Sequence, residues 1–463
     1  MESSPSPLKE FIEMNLSIER STRRTTRGRA GVAASIALLA VSLVAACSGA
    51  ADSGGSSSSA VDPAKTYNLT YWSWTKGSAE AVEAFNKAHP HIHVTFQQTP
   101  SGSKGGYAKV SDAFKAGNGP DVFNAEYVAL PSFVAAGQVA DLTSYLTPQA
   151  TSGYLPQAMQ MVTLGGRKWG VPSDIGAQVL YYRKDLFAQY GLTVPTTWQQ
   201  FQDDAQKLTA RKPGLYLANY TVDDPLVLEA LASAAGANWF STAGDSWTLN
   251  FTDQATTQVA NFWQGLADKK LLAPVFSNTT GYTADVAAGH ILSLVSVNWN
   301  ASYNMTNYPS LAGKWGVSLL PSFDGQPTSG VLGGSTYAVS KSSKNTAAAA
   351  EFALWMTSNA DAIKARTSGG SSAYYANRTA LQVARDGFDT GYYGTDIYDT
   401  FDTAEHALKP WTFGPTMTAT NQVLTTKLKG LSGGTTVADA IAAGAADAKQ
   451  EMSTLGLNVR VQG

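Results

Sequence analysis

From residue 65 onward the chain switches between two hydrophobic periods. Tyr67-Asn68-Leu69-Thr70-Tyr71-Trp72 alternates as a strand does, and after Ser78 the residues Ala81, Val82, Phe85 and Ala88 share one face of a helix that Pro90 closes. Ile92, Val94 and Phe96 alternate again. A second helical segment carrying Val110 and Phe114 stops at Gly117-Asn118-Gly119-Pro120, ahead of Asp121-Val122-Phe123. Strand, helix, strand, helix, strand predicts a parallel α/β sheet.

The same alternation resumes downstream. Trp169 to Pro172 and Val179 to Tyr182 read as strands, and Thr197 is expected to cap a helix, with Gln200 at capping-box spacing and Trp198, Phe201, Ala205 and Leu208 as its apolar positions. Further strands are predicted at Ile291 to Val297, Trp315 to Leu320 and Thr336 to Val339. Long helices are predicted at Ala347 to Met356 and Val437 to Met452. The chain shows no internal repeat at solenoid periods.

The first 64 residues break this pattern. An arginine-rich stretch, Ser21 to Arg29, precedes an apolar run from Gly31 to Ala46 that has the length of a secretory core and falls short of the roughly 20 residues that span a bilayer. The run ends in Val44-Ala45-Ala46-Cys47, which resembles the lipobox of bacterial lipoproteins and so implies cleavage before Cys47 and lipidation of its sulfur. Residues 1–46 are therefore expected to be a lipoprotein signal peptide, with Met14 as an alternative start. Residues 47–64, built mainly from Ser, Gly, Ala and Asp, are expected to be a flexible tether. Arg23-Arg24 lacks the hydrophobic residues that usually follow a twin-arginine export pair.

Charge and cysteine content narrow the classes. Lys plus Arg is 33 against 35 for Asp plus Glu; subtracting the signal segment's surplus of two positive charges from the overall −2 leaves −4, so no basic surplus exists to hold nucleic acid. Cys47 is the sole cysteine, which excludes an intrachain disulfide or a CxxC pair.

Four segments carry a resemblance to a known family. They are Asn118-Gly119-Pro120-Asp121-Val122-Phe123 with Pro131 to Leu142 downstream; Lys168 to Pro172, Leu180 to Phe187 and Pro195 to Phe201; Leu332 to Val339 leading into Ser343-Lys344-Asn345 and Glu351-Phe352-Ala353; and the C-terminal helices after Trp411, with Thr435 to Ile441. In order, these resemble the family 1 extracellular solute-binding proteins, sugar-binding lipoproteins related to maltose-binding protein. The resemblance implies an α/β, two-lobe, type II periplasmic-binding-protein-like fold with its ligand in the cleft between lobes and hinge closure as its motion. It puts residues 65–176 plus 333–383 in one lobe and 181–330 plus 384–463 in the other. It further implies a monomer that binds a sugar, makes no chemical change to it, and delivers it to the permease of an ABC importer. Such a protein would be exported and held by Cys47 on the outer face of the cytoplasmic membrane. Two other classes stay open: a receptor for another solute, such as a peptide, polyol or phosphodiester, and a secreted carbohydrate enzyme.

A sugar presents apolar C–H faces and a ring of hydroxyls, so its site needs flat aromatic surfaces and directional carboxylates or amides. Trp74 ends the first strand, where its loop would open to the cleft. The resemblance implies ligand contacts at Glu126 and Tyr127, after the strand at Asp121 to Ala125, and an aromatic platform at Trp299, flanked by Asn298 and Asn300. Asp174 occupies the expected lobe crossing and could accept two hydroxyls at once. Gly333 and Gly334 would let a backbone N–H approach a ligand or form a hinge turn. Trp239, Tyr374 and Trp411 are weaker candidates.

Enzymatic and metal signatures are sparse. The adjacent pairs Asp203-Asp204 and Asp223-Asp224 point in different directions, cannot flank a glycosidic bond, and are expected in solvent. No Gly-x-Ser-x-Gly, Walker loop or His-Glu-x-x-His occurs. His89, His91 and His93 straddle Pro90 without a nearby Cys or carboxylate cluster, so no metal and no cofactor are expected. The Gly-rich Ser101 to Gly106 is expected to lack the strand-before, helix-after setting of a nucleotide loop.

Overall fold

Eight strands position the site in this computed structural model, which describes residues 61–243, 246–368 and 374–462. The signal segment, Cys47 and most of the tether lie outside the described residues. The strands are β1 (Tyr67–Ser73), β2 (Ile92–Gln98), β3 (Val122–Glu126), β4 (Val171–Pro172), β5 (Gln178–Arg183), β6 (Ser293–Val297), β7 (Trp315–Leu319) and β8 (Ser335–Val339). Five form one sheet in the order β2-β1-β3-β8-β4, and three form another in the order β6-β5-β7.

β1 runs parallel to β2 and β3, because α1 (Ser78–Ala88) and α2 (Gly106–Lys115) carry the chain back between them. β8 pairs antiparallel with β3 and β4, so the sheet is mixed. Alternation sorts its side chains. Leu69, Tyr71, Val122 and Val339 pack with Phe85 and Phe352 on one face, while Phe123 and Ala125 join Val110 and Phe133 on the other. In the second sheet β6 and β7 are both antiparallel to β5.

The chain passes from the first sheet to the second through residues 173–177 and returns through residues 320–334. These crossings lie side by side. The Leu332 N–H donates to the Gly176 carbonyl at 2.9 Å, and Ala177 forms an isolated antiparallel bridge with Val331. A Cβ on Gly176 would fall 1.8 Å from the Leu332 carbonyl oxygen, so only glycine allows this approach.

The local signals behave as their chemistry predicts at Thr197. Its hydroxyl accepts from the Gln200 N–H at 3.2 Å and the Gln200 side chain accepts from the Thr197 N–H at 3.3 Å, a complete capping box. Among the described residues no helix is long and apolar enough to cross a membrane.

Two expectations are corrected. Only Asp203 of the two acidic pairs is exposed. Asp204 is buried and paired with Lys207 at 3.3 Å, and Asp224 caps α3 (Pro225–Ala234) by accepting from the Leu226 N–H at 3.0 Å. Asp223 is also buried; its Oδ2 accepts from the Ser277 N–H at 2.6 Å and its Oδ1 has no partner among the described residues. The segment Ser101 to Gly106 does follow a strand and precede a helix, because a short 3-10 turn at Gly102–Lys104 and Gly105 at φ 101° turn the chain directly from β2 into α2.

Burial pushes the Asp223 carboxyl up to about 6. The folded protein therefore keeps a proton that the unfolded chain has already lost. Its stabilising contribution is complete below about pH 4 and fades as pH rises through the folded value. Relative to Asp223→Asn, the wild type should lose roughly 2 kcal/mol of stability between about pH 4 and pH 7. Urea unfolding across that range tests this; parallel curves for the two proteins would show that Asp223 titrates like an exposed aspartate.

Candidate ligand-binding site

A cavity of ≈ 490 Å³ opens where the carboxyl ends of the three parallel strands meet the crossings. Trp74, Thr75 and Lys76 continue β1, Gln98 ends β2 with Thr99, Ser101 and Gly102 after it, and Glu126 is the last residue of β3. Asp174 follows β4, and Gly333 and Gly334 lead into Ser335 at the start of β8. Trp299 and Tyr303 follow β6 of the second sheet, and Arg366 comes from α4 (Ala360–Ser368). Strand ends in an open α/β sheet leave such a crevice because the loops diverge there while the strands stay paired.

Its floor is polar and tightly held. Asp174 is 9% exposed, and its Oδ1 accepts from the Ser335 N–H at 3.2 Å and the Ser335 hydroxyl at 2.6 Å. The Tyr127 hydroxyl donates to the Asp174 carbonyl at 2.9 Å. Burial pushes the Asp174 carboxyl up, while the Ser335 bonds and the Arg366 charge pull it back. Burial also raises the Glu126 carboxyl. The Tyr107 hydroxyl, which donates to it, works the other way, and the charges of Asp174 and Asp224 add to the rise.

The walls are aromatic. Trp74 is half-buried and stands edge-on to Tyr107 at 5.9 Å. Trp299 is half-buried; its indole Nε1–H donates to the Leu332 carbonyl at 2.9 Å and its backbone N–H to the Asn298 side chain at 2.8 Å. Tyr303, 56% exposed, meets Trp299 edge-on at 6.0 Å. The combination offers ring faces, two carboxyl groups and hydroxyl and amide groups within one concavity.

Of the residues chosen from sequence, Trp74, Glu126, Asp174, Trp299, Gly333 and Gly334 line this cavity. Others are corrected. Tyr127 and Asn298 are buried supports: Tyr127 lies beneath Asp174, and Asn298 donates to the Ile175 carbonyl at 3.1 Å. Tyr374 is buried with its hydroxyl on Asp402 at 2.7 Å. Trp239 and Trp411 are core residues packed on one another at 5.6 Å, and Trp239 donates to the Thr256 hydroxyl at 2.9 Å. Large aromatic rings bury most apolar surface, so the core claims most of them.

Sequence reasoning missed Gln98, Thr99 and Ser101, although the rule that selected Trp74 and Glu126, the carboxyl end of a parallel strand, would also have selected the residues after β2. Arg366 carried no local signal: it sits near the end of a helix far from every motif. Among the described residues no group of three or more His, Cys, Asp and Glu side chains could hold a metal ion.

Comparison with known proteins adds an independent line. The profile of the bacterial extracellular solute-binding protein family matches residues 71–363. The lactose-binding protein of Rhizobium radiobacter is 25% identical over 301 residues, which cover 61% of this chain and 69% of that protein. The arabinooligosaccharide-binding protein of Halalkalibacterium halodurans is 23% identical over 223 residues, 46% of this chain and 48% of that one, so here the match spans about half of the relative's length. Among solved structures, the galacto-N-biose-/lacto-N-biose I-binding protein of a Bifidobacterium longum ABC transporter, in complex with lacto-N-biose, superposes with a TM-score of 0.77 at 25% identity, covering 86% of this chain and 100% of that one.

Gly334 tests the packing of the floor. It has φ +92°, and a Cβ there would meet the Tyr127 ring at 2.7 Å and the Asp174 carbonyl oxygen at 3.0 Å. Gly334→Ala should therefore destabilise the protein by about 1–3 kcal/mol, measured by urea unfolding. An unchanged midpoint would mean that the floor yields without strain.

Proposed function

We propose, for a chain that belongs to the bacterial extracellular solute-binding proteins, that it is the carbohydrate-binding component of an ABC importer and releases its sugar unaltered to a membrane permease. The observation that carries this reading is the cavity at the sheet crossings, which Trp74, Trp299 and Tyr303 line together with Asp174 and Glu126. Its size lies within the roughly 300–1,000 Å³ of small-molecule sites. Relatives whose names specify lactose and arabinooligosaccharide, and a superposable protein that holds lacto-N-biose, support a sugar as the solute.

In the proposed mechanism Trp299 and Trp74 cover the C–H faces of a sugar ring, and Asp174 and Glu126 take its hydroxyls. Residues 65–176 with 333–383 form one lobe and residues 181–330 with 384–463 the other. The cavity draws side chains from both sheets, so a sugar that touches both favours the arrangement in which the two lobes close. Lipidation at Cys47 anchors the monomer beside its permease and raises its effective concentration there.

A thermal-shift panel of lactose, lacto-N-biose, arabinooligosaccharides, a polyol and a dipeptide tests the reading. A binder raises Tm because it stabilises only the folded state. One saccharide should raise it and be recovered uncleaved. A shift with the polyol or the dipeptide alone would assign the site to another solute, and cleavage of the saccharide would make the protein an enzyme. Asp174→Asn and Trp299→Ala should each weaken that saccharide roughly 10- to 100-fold by calorimetry. Cys47→Ser should move the protein from the membrane fraction to the soluble fraction, whereas an unchanged distribution would remove the lipid anchor from the reading.

A further inference from the structure

Arg366 is 1% exposed yet lines the cavity. Its Nη2 donates to the Ser173 hydroxyl at 2.9 Å and its Nη1 to the Met356 carbonyl at 3.3 Å. The guanidinium carbon lies 4.9 Å from the centre of the Tyr375 ring and 5.8 Å from that of Tyr337. Its backbone is equally constrained: a Cβ on Gly77 would fall 2.6 Å from the Arg366 Cα. One residue thus touches the loop after β1 that carries Trp74 and the crossing that carries Asp174.

Burying a guanidinium is costly unless an anion compensates it, and here Nε has no partner among the described residues. Four carboxyl-independent contacts, to Ser173, Met356 and the two rings, fix where the cation sits. They put it against the residue next to Asp174 in sequence. Tyr375 in turn forms an isolated β-bridge with Asp174, so the cation is bracketed by residues joined to Asp174 on both sides.

We infer that Arg366 is a positioning residue, which acts through Asp174 by holding the Ser173–Asp174 crossing in place and by supplying the positive field that keeps the Asp174 carboxylate an acceptor. The inference deepens the reading of the cavity as a solute site and rests on it. Around Asp174 and Arg366 stand Tyr71 from β1, Glu126 from β3 with Tyr127 just after it, Ser335 and Tyr337 from β8, and Tyr375. Glu126 is the other anion of the set, and its charge opposes ionisation of Asp174 while that of Arg366 favours it. Remove the cation, and burial and Glu126 act on Asp174 with only the Ser335 and Ser173 hydrogen bonds opposing them.

The test is a ¹³C NMR titration of aspartate carboxyl carbons in the sugar-free protein, with the Asp174 signal assigned by Asp174→Asn. Arg366→Met should raise its titration midpoint by about one pH unit or more. Arg366→Lys, whose shorter ammonium cannot keep the Ser173 contact and the Tyr375 stacking together, should raise it by less. Arg366→Gln removes the charge yet keeps an amide that can donate to Ser173, and it should also raise the midpoint, so the inference remains testable if Arg366→Met does not fold. A midpoint that stays at the wild-type value in every folded Arg366 variant would overturn the inference. Because no sugar is present, that result is distinct from failure of the saccharide panel.

Discussion

The rest of the structure depends on a contact too close for any side chain. Gly176 and the Leu332 carbonyl lie against each other where the chain leaves the first sheet and where it returns. Because the two crossings are hydrogen-bonded there, Asp174 on one and Gly333 and Gly334 on the other are brought to the same cavity, although about 160 residues separate them in sequence. A larger residue at position 176 would part the crossings and the cavity floor with them.

On that floor, polar groups are ordered by one another. Ser335 holds Asp174 from β8, Tyr127 holds the Asp174 carbonyl from the end of β3, and Tyr107 holds Glu126 from α2. Each carboxyl group is kept in place by a residue of a different element, and its burial is partly offset by those bonds. Preorganisation of this kind lowers the ordering cost of binding, since the acceptors are already aimed before a solute arrives.

Much of the framework was legible in the chain. Alternation in Tyr67 to Trp72 and in Ile92 to Phe96, the helix face at Val82 and Phe85, and the box at Thr197 and Gln200 are local signals, and local physics forms them. The site was legible where its residues end strands, as with Trp74 and Glu126. It was not legible where a residue's role comes from distant packing. Trp239 and Trp411 have the same chemistry as Trp299, and nothing near them in sequence tells a core ring from a wall. Arg366 shows the converse: a charged residue on an exposed-looking helix is buried only because α1, β8 and the 173–177 crossing close over it. Asp223 and Asp224 read as solvated charges because capping and turn bonds depend on the chain's path, which adjacency alone does not give.

The hydrogen bond from the Trp299 indole to the Leu332 carbonyl has a chemical corollary. Indole has a single polar hydrogen, and here the backbone of the returning crossing has taken it. What Trp299 can still present is carbon: a flat, electron-rich π surface suited to the slightly positive hydrogens on the underside of a pyranose. As a wall of the proposed sugar site, it would tell a ring with an uninterrupted face from one whose axial oxygen projects into it, and would be blind to how the equatorial oxygens donate or accept.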